Sequence, residues 1–117
     1  MAGTPFRDGP TYVAAAAADL YTPASGVHAL VRHIRLANKD SSLRTVTLYL
    51  GATGGSAGGT EIVPGTGIAA NDVLDAYFPG GLMVRGATDY ISGVAGTVST
   101  ITATIMGELY VSAISAS

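Results

Sequence analysis

Two histidines and eight acidic residues are the side chains of this sequence that could bind a metal ion. His28 and His33 lie five residues apart in a segment with strand-like alternation, which predicts that they point to opposite faces of a strand and cannot share one ion. No run of alternating carboxylates forms a calcium loop, and no cysteine is present. The sequence therefore predicts no metal and no cofactor. The acids that could in principle supply oxygen ligands for calcium, but that form no compact loop, are Asp72, Asp75 and Asp89 with Glu61 or Glu108.

One serine has the spacing of a hydrolase nucleophile. Gly54, Ser56 and Gly58 satisfy the pattern G-x-S-x-G, but no helical pattern follows to lift the serine out of the turn. The same run lacks the Lys-Ser or Lys-Thr pair of a phosphate-binding loop. Because no nucleophile, base and orienting group can be placed together, the chain is predicted not to be an enzyme. Ala52 to Gly59 is interpreted as a partner-facing loop, with Gly54, Gly55 and Ser56 as contacts.

Arg32 conflicts with the pattern around it. In a regular strand it would point to the same side as Leu30 and Ile34, which are expected to face the core. Either the strand end is open at this position, or Arg32 meets an acid such as Asp75 or Glu108. A third possibility is a subunit interface, where arginine is enriched, so Arg32 is a predicted assembly contact.

The first ten residues, Met1 to Pro10, contain two prolines and two glycines and are predicted to hold no regular structure. One interpretation is a frayed terminus. The other is an extended N-terminal arm that docks on a neighbour, with Phe6 as the apolar anchor and Arg7 as the polar clamp. In the second case, deletion of the arm would abolish docking and leave the domain folded.

Alternating apolar residues predict seven or eight short strands separated by turns. Val27 to Gly51 supplies two of them, and a long last strand places Ile101, Ala103 and Ile105 on one face, with Gly107 at a bulge or close approach. Pro64-Gly65 and Pro79 to Gly81 are expected to end strands. The fold class is all-β, a single antiparallel β-sandwich or jelly-roll-like domain over residues 11–117, with the arm at residues 1–10.

Thr11 to Tyr21 is the ambiguous segment. Its five consecutive alanines, Ala14 to Ala18, favour a helix on intrinsic propensity. The β-branched start at Thr11 and the turn after Tyr21 favour extended chain. We interpret the segment as strand or extended chain, and a short helix is the alternative.

Composition excludes several partners. Six basic residues are scattered along a chain with a net charge of −2, so no basic stripe for nucleic acid is expected. No apolar run is long enough to cross a membrane. Charged residues make up 12%, about half the usual share of soluble domains. A surface so poor in charge favours burial in an assembly.

The sequence resembles small structural proteins of tailed bacteriophages, and its opening FRDGPTYVAAAAADLYTP resembles those of phages that infect actinobacteria. The shared patterns cover nearly the whole chain and mark a scaffold, not an active site. They are R-x-I-x-L-A-N at Arg32 to Asn38, V-T-L-Y-L at Val46 to Leu50, the turn Ala69 to Asp72, and the last strand Thr100 to Glu108.

The resemblance implies a virion protein, assembled in the host cytoplasm, with a head-decoration, cement or minor capsid role. Its partners would be the major capsid protein or other virion proteins, and a homo-oligomer, with a trimer possible, is expected. The alternative is a tail or neck module that recognises host carbohydrate through exposed aromatics. Tyr49, on the outward parity of its strand, is the residue that this alternative favours.

Overall fold

The computed structural model describes residues 3–16, 18–51, 61–86, 89–97 and 99–111 of the chain. These residues contain eight strands and no helix, and so no helix that could span a membrane. The strands are β1 (Thr4–Tyr12), β2 (Ala18–Tyr21), β3 (Val27–Asn38), β4 (Arg44–Gly51), β5 (Glu61–Ile68), β6 (Val73–Arg85), β7 (Tyr90–Ala95) and β8 (Ile101–Val111).

The strands form two four-stranded sheets, and every pairing is antiparallel. The first sheet has the order β1-β8-β3-β6 and the second the order β2-β7-β4-β5. All connections except the one from β4 to β5 carry the chain from one sheet to the other. This order is that of an eight-stranded jelly roll. The prediction of an all-β antiparallel sandwich is confirmed.

The core consists of alternate residues of the strands, enclosed between the two sheets. Ile101, Ala103 and Ile105 of β8 are buried, as the alternation predicted, and so are Val46 and Leu48 of β4. Branched aliphatic side chains dominate this layer, which suits a pleated surface packed on another.

Residues 4–10 are not an arm without regular structure, and that prediction was wrong. They belong to β1, which pairs with β8 from Thr4 opposite Leu109 to Tyr12 opposite Thr102. The register shifts between Asp8 and Thr11, so Gly9 and Pro10 lie at an irregularity of the strand. An edge strand tolerates proline because only one of its sides takes part in a ladder.

The alanine-rich segment crosses from the first sheet to the second without helix, with a bend at Ala15 and Ala16. Val13 is fully buried, and its backbone N–H donates to the Ile101 carbonyl at 2.8 Å. The Ala95 N–H donates to the Ala14 carbonyl at 2.8 Å, which ties the segment to β7. The described residues of the segment contain no helix, so the extended interpretation is confirmed; Ala17 lies outside the described residues.

Pro64-Gly65 and Pro79 to Gly81 interrupt strands without ending them. In β5, Pro64 and Gly65 lie opposite Thr47 alone, and the Thr47 hydroxyl accepts a hydrogen bond from the Gly65 N–H at 3.0 Å. In β6, the residues from 78 to 81 form a wider bulge between two well-paired halves. Extra residues of this kind bend a strand while it keeps its neighbours.

Candidate functional site

A β-bulge at Arg32 sets which side chains of β3 face outward. Val31 lies opposite Gly107 of β8 and His33 opposite Met106, so Arg32 is an extra residue with no partner on β8. The inward-facing side chains therefore change from odd-numbered to even-numbered residues at this point. Val31 points into the core before the bulge, and Ile34 points into the core after it. Gly107 is the close approach expected from the sequence, because an added Cβ would overlap the backbone of β3.

The bulge removes the conflict between Arg32 and its neighbours. Arg32 lies on the outer face, 44% exposed, with its Nε 3.0 Å from the Glu108 carboxylate. Of the possibilities that the sequence left open, pairing with an acid is observed, and the acid is Glu108 and not Asp75. Leu30, which was expected to face the core with Ile34, is instead half-buried on the outer parity. The reason is again the one inserted residue.

Both histidines lie on this same outer face, so the prediction that they point to opposite faces was wrong. His28 and His33 are five positions apart in sequence, but Arg32 is an extra residue in the bulge and does not count in the alternation of the strand. The two histidines are therefore effectively four positions apart and point the same way. Each imidazole stacks on a tyrosine of the neighbouring strand: His28 on Tyr110 with centroids 5.4 Å apart, and His33 on Tyr77 at 4.4 Å. Five strand residues separate the two by roughly 16 Å. The described residues contain no group of three or more metal-ligand side chains.

Asp75 is the charged centre of the face. Its Oδ1 accepts from Arg35 Nε at 2.8 Å and lies 2.7 Å from His33 Nε2. The hydrogen bonds from Arg35 and then from His33 hold the pKa of Asp75 below its usual value. Asp75 of β6 thus holds the side chains of His33 and Arg35 of β3 in place, and the Arg35 guanidinium remains exposed to solvent.

We call the outer surface of the β1-β8-β3-β6 sheet the arginine–tyrosine face. It carries four of the six basic side chains of the protein, and its most exposed large apolar side chains are Tyr77 at 65%, Tyr12 at 51% and Met83 at 46%. Nothing in the sequence indicated that Tyr77 and Met83 share this face, because Pro79 to Gly81 separates them along the chain. Its charged members are Arg7, Arg32, Arg35 and Arg85 with Asp75 and Glu108.

Arg85 is held at one end of the face by Asp89. Its Nε donates to Asp89 Oδ2 at 2.9 Å and its terminal nitrogen to Oδ1 at 3.1 Å. This bidentate pair, formed across the turn after β6, lowers the pKa of Asp89. With Asp89 included, the arginine–tyrosine face has a net charge of +1.

The outer surface of the β2-β7-β4-β5 sheet, which we call the acidic face, has the opposite sign. One rung across it runs from Asp19 through Ser92 and Tyr49 to Glu61. Its charged side chains are the two acids, and no base lies on it among the described residues. Ser92 is fully buried, and its hydroxyl has no hydrogen-bond partner among those residues.

The sequence-predicted contact residues fall in different places. Phe6 is partly buried, packs on the core and stacks on Tyr21 at 5.3 Å, so it is an internal contact of β1 and not an exposed anchor. Arg7 is exposed on the arginine–tyrosine face, as is Arg32. Gly54, Gly55 and Ser56, with the loop Ala52 to Gly59, lie outside the described residues.

Comparison with known proteins gives little beyond the geometry. No protein-family model matches the chain, and no curated protein matches it either. Among solved structures, it is similar to a chain in the "Structure of infectious bursal disease virus Gt strain", with a TM-score of 0.40 and 12% sequence identity. That alignment covers 93% of this chain and 29% of that one.

Proposed function

We propose that this protein is a non-enzymatic structural component of a virus particle. In particular, we propose that it is a decoration, cement or minor capsid protein on the head of a tailed phage. A rigid sandwich that contacts the major capsid protein or other virion proteins at many equivalent places adds binding energy at each of them. The observation that carries the proposal is the arginine–tyrosine face, an interface-like surface on a chain that is otherwise poor in charge.

The composition of this face supports docking to protein. Arginine, tyrosine and methionine are enriched at protein interfaces, whereas lysine and glutamate are depleted there. Arg32, Arg35 and Tyr77 are pre-positioned by ion pairs or ring stacking, so little side-chain freedom is lost on binding. The resemblance of the sequence to small phage structural proteins supports the same class of function.

Quantitative mass spectrometry of purified particles tests the proposal. We expect a ratio of this protein to the major capsid subunit near one, or a simple fraction set by capsid symmetry. A far lower ratio would place it at the neck or tail, and its absence from particles would refute a structural role.

Point substitutions are the sharper docking test, because deletion of residues 1–10 removes most of β1. Loss of that edge strand would expose β8 and remove the Phe6–Tyr21 contact, so the truncated chain is expected to be destabilised. Arg7→Glu leaves the strand intact and should weaken the binding of added protein to particles that lack it. Lys39→Glu, the same charge change on an exposed turn, is the matched control.

Recognition of host carbohydrate is the second candidate, and the exposure of Tyr77 favours it. One side of this ring stacks on His33, and the side chain remains 65% exposed next to Asp75 and Arg35. Aromatic rings with charged neighbours are a surface that sugars can stack on. Glycan-array binding lost in Tyr77→Ala and kept in Tyr49→Ala would support this function at the arginine–tyrosine face.

A further inference from the structure

The edges of both sheets are closed to strand addition. Exposed edge strands invite pairing with other chains, and prolines or inward-pointing charges block it. The edge strands are β1 and β6 in one sheet and β2 and β5 in the other. Three of these contain proline, and β2 is only four residues long. The prolines concerned are Pro5, Pro10, Pro64 and Pro79.

With the edges closed, contacts between copies of the chain must use faces or loops. The two outer faces differ in sign: the arginine–tyrosine face carries +1 and the acidic face −2. Arg7 on the first and Asp19 on the second are exposed and have no ion pair among the described residues. Each face thus offers a charge that the folded chain leaves without an opposite partner.

We propose that the arginine–tyrosine face of one copy docks on the acidic face of a second copy, head to tail. Contact between unlike faces brings opposite net charges together, whereas contact between like faces brings two acidic or two basic surfaces together. Tyr77 and Met83 on one face and Tyr49 on the other supply apolar area to the contact. A heterologous contact of this kind closes into a ring or continues as a filament.

The inference gives the arginine–tyrosine face a second partner, which competes with the particle for the same surface. It concerns the chain with itself, so isolated protein tests it without virus particles. One variant, Arg7→Glu with Tyr77→Glu, reverses the arginine–tyrosine face. The other, Asp19→Lys with Thr45→Lys, reverses the acidic face at two exposed positions. Each alone should associate at least about tenfold more weakly than the parent in sedimentation-velocity ultracentrifugation, a change of about 1.4 kcal/mol.

Mixing the two variants is the decisive step. Each retains the face that the other has lost, and the two reversed faces are opposite in charge to each other, so the mixture should form mixed assemblies that neither variant forms alone, and the parent contact should weaken as NaCl is raised. Lys39→Glu is the control and should associate like the parent. Far-UV circular dichroism confirms that each variant is folded.

Three results would overturn the inference. They are a parent chain that stays monomeric at high concentration, face variants that associate like the parent, and a mixture that gives no mixed assembly although both variants are folded. Absence of the protein from virus particles would refute the proposed function alone and would leave this contact standing.

Discussion

Substitution of Gly107 by alanine tests the bulge on which the arginine–tyrosine face depends. The added methyl would overlap the Leu30 carbonyl oxygen and lie 2.9 Å from the Cα of Val31. Both are backbone atoms of β3, which is held on one side by β8 and on the other by β6. No side chain can rotate away to relieve the overlap, so the strands themselves must separate.

The size of the effect follows from that geometry. Carbon atoms in contact prefer about 3.5–4.0 Å, so β3 and β8 must part by roughly 1 Å at this point. Overpacking costs about 1–3 kcal/mol, and each backbone hydrogen bond lost adds about 1 kcal/mol. Alanine is less flexible than glycine in the unfolded chain, and this stabilises the folded state by about 0.5–1 kcal/mol and offsets part of the loss. We expect the free energy of unfolding to fall by about 2–4 kcal/mol.

Urea denaturation followed by circular dichroism measures this change, since the chain has no tryptophan. With about 2.1 cal/mol/K of unfolding entropy per residue, the loss corresponds to a Tm lower by about 8–16 °C. Gly51→Ala is the matched control: nothing lies within 4 Å of its added Cβ, so its stability should stay the same or rise slightly. If Gly107→Ala stayed within about 0.5 kcal/mol of the parent, the steric role of Gly107 would be refuted.

Three further substitutions test local contacts. Asn38→Ala should destabilise the fold by about 2–3 kcal/mol in urea denaturation, because its buried amide joins two turns through hydrogen bonds to the Ser42 and Ile68 carbonyls at 2.8 and 2.9 Å. Burial raises the pKa of Asp8 from its usual 3.8, so Asp8→Asn should raise the Tm at pH 7, and that gain should shrink as the pH falls through the folded-state pKa and be gone below 3.8. Since the pKa of Asp75 is lowered, Asp75→Asn should lower the Tm at pH 7, and the difference should vanish as the pH falls through the folded-state pKa.

Each of the three has a control and a contrary outcome. Ser41→Ala, on the exposed part of the same turn as Asn38, should leave stability unchanged, and an equal loss there would argue against the role of the amide. Asp19→Asn, an exposed acid on β2, is the control for both carboxylates. A gain from Asp8→Asn that persists at pH 3 would contradict the burial argument. A loss from Asp75→Asn that does not depend on pH would contradict the argument that hydrogen bonds to the charged carboxylate stabilise the fold.

Strands with a clean period of two could be predicted from the sequence, whereas the edge strand β1 could not. In β8, isoleucine and alanine alternate with threonine, and the structure follows that pattern residue by residue from Ile101 to Ile105. In β1, Pro5, Gly9 and Pro10 dominate the composition, so the segment was interpreted as irregular. Pairing with β8 is a long-range contact, and nothing within β1 itself encodes it.

The candidate site was partly visible in the sequence, through one misplaced charge. Arg32 on the apolar side of its strand and Gly107 in β8 were the local signs of a bulge, and Glu108, which pairs with Arg32, was one of the two acids suggested as its partner, the other being Asp75. The consequences could not be derived, because a single inserted residue reverses every later side chain of the strand. The placement of His33 and Tyr77 on one face therefore needed the register of β3 against both of its neighbours.

Arg32 and Gly107 are best understood as two parts of one device. A regular β3 would carry Arg32 into the core with Ile34, where an unpaired charge costs several kcal/mol. The bulge avoids that cost only if β8 can approach β3 closely at the same level, and glycine is the residue that permits this. Because the side-chain alternation reverses at the bulge, Arg32 joins His33 and Arg35 on the outside while Val31 stays in the core. The basic character of one face, and with it the charge difference between the two faces, thus depends on one inserted residue and the glycine opposite it.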